Sequence, residues 1–363
     1  MHTQPTDGTE HLADGIVLLA KKPGPTSFSS LNSIKKALNT KKVGHTGTLD
    51  SFAQGLLVVC TGRLTKIAGN ITEFDKEYEA VIKFGEETDT LENTGIVIRT
   101  APLPNKETLE NAIKNFTGLI QQKPPAFSAI HVDGKRASDL ARNGKEVELP
   151  ARPVTVYSAE ILETKSSSTG LIEYCMINFS VSKGTYIRSL ARDIAKECGS
   201  AAHLIGLYRK NVGNFYIEDA AGFLELEEFN IENCIRQVEN GAKAGTETRT
   251  GTETRAGIET STGTPAENKN ITSLALHEEI IKKKMDFLPQ TAELCGFDVI
   301  KLVSKDAENA FKNGKPLKNS FFDKNLQELL NKKSAAVFTQ DGHFCGLINK
   351  NENGKVSYSF VLN

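Results

Sequence analysis

Apolar and polar positions change period several times along this chain. Residues 15–20, GIVLLA, form an apolar run of strand length. KKPGPTS follows, where Pro23, Gly24 and Pro25 exclude helix and Thr26 or Ser27 is placed to cap what comes next. Phe28, Leu31, Ile34 and Leu38 then recur at helical spacing. GHTGTLDSFAQG reads as a glycine-punctuated loop and LLVVC as a buried strand. In TEFDKEYEAVIKFG, Tyr78, Ala80, Ile82 and Phe84 alternate as on a strand with one buried face. Residues 106–116 predict an amphipathic helix closed by Gly118. VTVYSAEIL, LIEYCMINFSVS and the helix-like IRSLARDIAKECG continue the interleaving. The pattern predicts an α+β domain over residues 15–235, preceded by a loose tail at 1–14.

Residues 241–270 break the pattern. GTETRT, GTETRA, GIETST and GTPAEN are a degenerate six-residue repeat. Six-residue periods also build β-solenoids, but a single Ile258 provides no core for one. So little apolar content cannot offset chain entropy, and the segment is expected to be a disordered insertion. Order resumes near Ile271. FDVIKLV, DAENAFKNG, AAVFTQDG, HFCGLIN and VSYSFVLN predict a small β-rich domain over 285–363.

Composition adds little: 39% hydrophobic and 25% charged residues are ordinary for a globular protein. No apolar run reaches bilayer length and the first residues carry no signal-peptide core, so a cytoplasmic protein without membrane contact is expected. Cys60, Cys175, Cys198, Cys234, Cys295 and Cys345 form no CxxC and no metal spacing with histidine, and read as small buried residues.

Charge is more informative than its net value of -1. Lys21, Lys22, Lys35, Lys36, Lys41, Lys42, Arg63 and Lys66 share residues 15–66 with one acid, Asp50. Lys183, Arg188, Arg192, Lys196, Arg209 and Lys210 share residues 183–210 with only Asp193 and Glu197. Residues 211–234, by contrast, hold six acids and no base. One basic block would be an ordinary solvated surface. Two beside pointed motifs suggest a polyanionic partner.

The signatures of dinucleotide binding, P-loop hydrolysis, serine-elbow hydrolysis and zinc hydrolysis (GxGxxG after a strand, GxxxxGK[ST], GxSxG and HExxH) are absent. What remains is GHTGTLD, residues 44–50, where small residues let a loop approach a ligand closely. A carboxylate in a basic field stays ionised and serves as a nucleophile. On pattern alone, Asp50 reads equally as that nucleophile or as a helix cap for SFAQGLL.

GHTGTLDSFAQGL resembles the catalytic motif of the TruB family of bacterial tRNA pseudouridine synthases, commonly GHxGTLDPxAxGxL. LLAKKPGPTS, DKEYEA, SKGTYIRSLARDIA and YRKNVGNF resemble further family segments in the same order, over about residues 15–220. Ser51 departs from the family's usual proline, which implies a slightly less rigid loop. The repeat is foreign to the family.

The resemblance implies the pseudouridine synthase fold, a mixed and mostly antiparallel sheet with flanking helices. It also implies a reduced PUA-like module at the C-terminus, carried mainly by FKNGKPL at 311–317. The implied activity is isomerisation of the T-loop uridine at tRNA position 55, with no metal or organic cofactor. In that scheme Asp50 is the nucleophile, Tyr78 stacks on the target base and serves proton removal, and Arg188 pairs with Asp50. Tyr186 and Leu207 line the pocket, His45 stacks where the flipped base leaves, and Lys22 and Pro23 shape the wall. The implied partner is the tRNA T arm, bound by a monomer without protein partners.

Two other readings compete. One is a guide-RNA-dependent relative of eukarya or archaea; the short C-terminal module and missing basic tail argue against it. The other is an RNA-binding or RNA-folding module with an inactive site. The basic blocks predict that tRNA affinity falls roughly tenfold or more between about 50 and 200 mM salt in a filter-binding titration. Salt-independent affinity would contradict a phosphate-dominated interface.

Overall fold

The structure is a computed structural model, and it describes residues 13–132, 134–247, 265–326 and 334–362. Seven strands form the main path of a nine-stranded sheet, in the order Gly15–Lys21, Gln54–Thr61, Ala202–Val212, Lys76–Phe84, Ile172–Val181, Arg152–Ser166 and Gly118–Gln122. The short strand Val43–His45 pairs beside Gln54–Thr61, and Phe215–Tyr216 beside Ala202–Val212. Only the pairing of Ala202–Val212 with Gln54–Thr61 is parallel within this sheet. The sheet is thus mixed and mostly antiparallel, as the family resemblance implied.

Burial explains the strand patterns. Tyr78, Ala80, Ile82 and Phe84 point into a core shared with Leu109 and Ile113 of the helix Lys106–Asn115. Ile187, Leu190 and Ile194 of the helix Ile187–Glu197 fill the same core. Val81 is also buried, because Ile231 and Cys234 of the helix Ile231–Glu247 cover the opposite face. Local chemistry sets the helix starts. Thr26 accepts from the Ser29 amide and Asn105 from the Thr108 amide, each satisfying a donor that lacks an intrahelical partner.

The C-terminal module has a four-stranded sheet in the order Asp298–Lys301, Ser334–Phe338, Phe344–Lys350 and Val356–Val361. Its first pair is parallel and the others are antiparallel. Phe287 lies against Phe297, Phe338 and Phe344, with ring centroids 6.2, 6.2 and 4.5 Å away. Those rings join a core containing Ile16, Leu18 and Leu56, so the module is seated on the edge of the large sheet.

Three boundaries differ from the sequence pattern. Asp14, placed in the tail, accepts from the Arg63 amide at 2.7 Å and pairs with its guanidinium at 2.5 Å. The helix Ile231–Glu247 runs past residue 235 into the repeat, and Pro265–Lys283 emerges from it. Leu276 and Ile280 of that second helix pack on Leu31, Ile34 and Leu19, and Met285 then exchanges two backbone hydrogen bonds with Ile16. The centre of the repeat, residues 248–264, lies outside the described residues, as does most of the 1–14 tail. Among the described residues no helix is long and apolar enough to cross a membrane. All six cysteines are free, and burial pushes the Cys60, Cys175 and Cys234 thiols up to about 12.

Candidate active site

Asp50 ends the loop that leaves Val43–His45 and precedes Gln54–Thr61. The next element is a strand, so Asp50 caps no helix. The loop is fastened at several points. Ser27 Oγ accepts from the Leu49 amide at 2.8 Å and donates to the Leu49 carbonyl at 2.9 Å. The Gly24 amide donates to Ser51 O at 2.8 Å, and the Ala53 amide to Asp50 O at 3.2 Å. Gly55 has φ +117, and a Cβ there would sit 2.4 Å from the Arg209 carbonyl oxygen. Glycine therefore lets the loop close onto Ala202–Val212.

Arg188 reaches Asp50 from the first turn of Ile187–Glu197. Its Nη2 donates to Asp50 Oδ1 at 3.1 Å, and Nε lies 2.9 Å from Oδ2 without hydrogen-bond alignment. The remaining donors go to main-chain carbonyls, Nη1 to Thr90 at 2.9 Å and Nη2 to Phe127 at 2.9 Å. Arg188 is 4% exposed, whereas the Asp50 side chain is 30% exposed and reachable from solvent. This planar fork is a role lysine could not fill.

Tyr78 and Leu207 lie on adjacent strands and share a core with Leu49 beside Asp50. Tyr186 precedes the Arg188 helix; its amide donates to Gln122 Oε1, its carbonyl accepts from Gln122 Nε2, and Arg152 lies 5.2 Å from its ring. His45 sits four residues before Leu49, with a buried Nδ1 that has no partner. Burial, then Arg209, pushes the His45 imidazole below its ordinary value, so the ring is neutral at physiological pH. The structure thus brings Asp50, Arg188, Tyr78 and Leu207 to one region. Lys22 goes elsewhere: its ammonium pairs with Glu225 at 2.6 Å.

The basic blocks also look different in three dimensions. Lys22, Arg63, Lys183, Arg192 and Lys210 each meet a carboxylate, at Glu225, Asp14, Glu73, Asp193 and Glu77 with Glu79. Lys21 and Arg209 are buried. Lys35, Lys36, Lys41 and Lys42, at the end of the helix Ser27–Ala37 and the loop beyond it, form no ion pair among the described residues. They are the block that remains available to phosphates.

Several site residues carry no signal in the sequence. Thr90 and Phe127 contribute only carbonyls. Arg209 donates to Leu56 O at 2.8 Å and Gly47 O at 3.2 Å, and looked like one more basic residue. Glu92 is half-buried, feels the charges of Arg188 and Asp50, and accepts from Thr94 Oγ1 at 3.1 Å.

Residues 35–187 match the N-terminal domain model of the TruB family pseudouridylate synthases. The chain is 40% identical to tRNA pseudouridine synthase B of Treponema denticola over 93% of this chain and 95% of that one. The chain belongs to the TruB family. Its similarity to tRNA pseudouridine synthase B of Borreliella burgdorferi is 47% identity over 58% of this chain and 73% of the relative. A solved Cbf5–Nop10–Gar1 complex has a chain of the same fold, with a TM-score of 0.59 at 22% identity over 99% of this chain and 91% of that one.

Burial, opposed by Arg188 and reinforced by Asp50, raises the Glu92 carboxyl above its ordinary 4.5. The folded chain then binds more protons than the unfolded chain between the two values. Stability from this group is complete below 4.5 and lost as pH rises through the folded value. Glu92→Gln should therefore melt with wild type at about pH 4 and above it at about pH 7. Parallel melting at both pH values would contradict that environment.

Proposed function

We propose that this TruB chain is a tRNA pseudouridine synthase that isomerises the T-loop uridine at position 55, with Asp50 as nucleophile. The observation that carries the reading is the two-pronged Arg188–Asp50 contact, which aims a reachable carboxylate at the mouth of a conformationally fastened loop. A uridine in a folded loop must leave its stack before a carboxylate reaches it. Lys35, Lys36, Lys41 and Lys42 supply charge for the RNA backbone.

In the reaction the N1–C1′ glycosidic bond breaks and a C5–C1′ bond forms. The hydrogen on C5 leaves as a proton, and N1 gains one. The net change is an isomerisation, so the balance requires no oxidant and no energy source. Asp50 supplies the attacking oxygen and is released at the end. Arg188 orients both carboxylate oxygens through its fork. Tyr78 faces the detached base, and its phenol serves removal of the C5 proton. Leu207 and Tyr186 complete the apolar wall, and His45, being neutral, stacks without adding charge to the base's former place. Lys22, paired with Glu225, takes no part in that wall. The working form is a cytoplasmic monomer acting on the tRNA T arm without a protein partner, and the C-terminal module contacts the same RNA by shape and charge.

Tritium release from uracil-5-labelled tRNA tests this reading. Wild type should release label, while Asp50→Asn and Asp50→Ala should lose turnover by at least about a thousandfold and keep tRNA affinity within roughly twofold. Equal, negligible release by wild type and Asp50→Asn would identify an RNA-binding module without catalysis. Loss of tRNA binding in Asp50→Ala would mark Asp50 as structural.

A further inference from the structure

Lys21 is the last residue of the strand Gly15–Lys21 and is 1% exposed. Its ammonium donates to Ala53 O at 2.7 Å, Lys22 O at 3.1 Å and Ser51 O at 3.2 Å. Among the described residues, no carboxylate lies within ion-pair distance of it. A buried ammonium held only by main-chain carbonyls is expensive to desolvate. Burial accordingly pushes it down to about 8, against the opposing pull of Asp50. Such a group is a poor choice for general stability, because an apolar residue would fill the same space at lower cost. Its donors converge instead on the two residues that flank Phe52, directly after Asp50.

The main chain on either side of Asp50 is held differently. Before it, Ser27 fixes both polar atoms of the Leu49 backbone and Arg209 holds Gly47 O. After it, Lys21 supplies the side-chain contacts to Ser51 O and Ala53 O. Position 51 is where the family's common motif places proline, whose ring fixes φ without any hydrogen bond. Here it is serine, with a freer backbone.

We propose that Lys21 is a positioning residue for the reaction. By tying the Ser51 and Ala53 carbonyls, it keeps the Asp50 carboxylate in register with Arg188, a constraint that proline at position 51 would otherwise provide through its ring. The inference rests on the reading of Asp50 as the reacting group. Lys21 touches no reacting atom and acts through the loop. Small displacements of a reacting group lower turnover far more than binding, since an error of 1 Å is associated with losses on the order of a hundredfold.

The test uses the full chain and tritium release from uracil-5-labelled tRNA, with three variants: Lys21→Met, Ser51→Pro and the double variant. Lys21→Met should lower kcat by roughly 10- to 100-fold while KM and tRNA affinity stay within about twofold. In the double variant, proline should recover most of the lost kcat. Wild-type kcat in Lys21→Met overturns the proposal, and so does a loss that Ser51→Pro fails to recover. If Lys21→Met does not fold, the double variant decides. Folding and turnover there support the proposal, whereas failure to fold there makes Lys21 a general requirement of the core and overturns it. A wild-type chain that released no label would sink the assignment of function itself, taking this inference with it. Turnover by wild type and Lys21→Met at equal rates would sink this inference alone.

Discussion

The site depends on one constraint: a guanidinium buried to 4% exposure needs an opposite charge beside it, and Asp50 is its one carboxylate contact among the described residues. Leaving a buried charge unpaired is severely destabilising, on the order of 3–5 kcal/mol. Arg188 therefore does more than touch Asp50. It also draws in the Thr90 and Phe127 carbonyls, so segments far apart in sequence meet around one planar group. The helix Ile187–Glu197 fixes that group from behind through Ile187, Leu190 and Ile194 in the core. Packing, hydrogen bonding and the orientation of the carboxylate are thus parts of one arrangement.

Two further buried cations extend the same logic beneath the loop. Arg209 and Lys21 donate to carbonyls of Gly47, Ser51, Ala53 and Leu56. Neither is a phosphate contact. They exchange solvation for main-chain carbonyls and so convert a glycine-rich segment, flexible by composition, into one with a defined path. Gly55 contributes by letting that path pass against the Arg209 backbone. The exposed Lys36, Lys41 and Lys42 are left for the long-range attraction of a polyanion.

Much of this was legible in the sequence because local and global preferences agree. Alternation in KEYEAVIKF marks a real strand, Thr26 caps a real helix, and the separated motifs around Asp50, Tyr78 and Arg188 converge in space. Illegible features share a physical cause: burial and pairing are tertiary properties. Lys21 and Lys22 are adjacent in sequence, yet one is sealed under the loop and the other pairs with Glu225 at the surface. Counting both as available positive charge overstated the basic block. Carbonyl contributions from Thr90 and Phe127 leave no side-chain signature at all. The helix Pro265–Lys283 was hidden because part of it lies inside a repeat whose composition argues for disorder, while Leu276 and Ile280 dock on the first helix.

The central claim is that the fork of Arg188, and not merely its charge, prepares Asp50. Single-turnover tritium release by Arg188→Lys tests it most directly, because lysine keeps the charge and loses the two-pronged geometry. The account predicts a rate at least about a hundredfold below wild type with tRNA affinity within roughly twofold. A wild-type rate from Arg188→Lys, or a loss confined to tRNA binding, would contradict it.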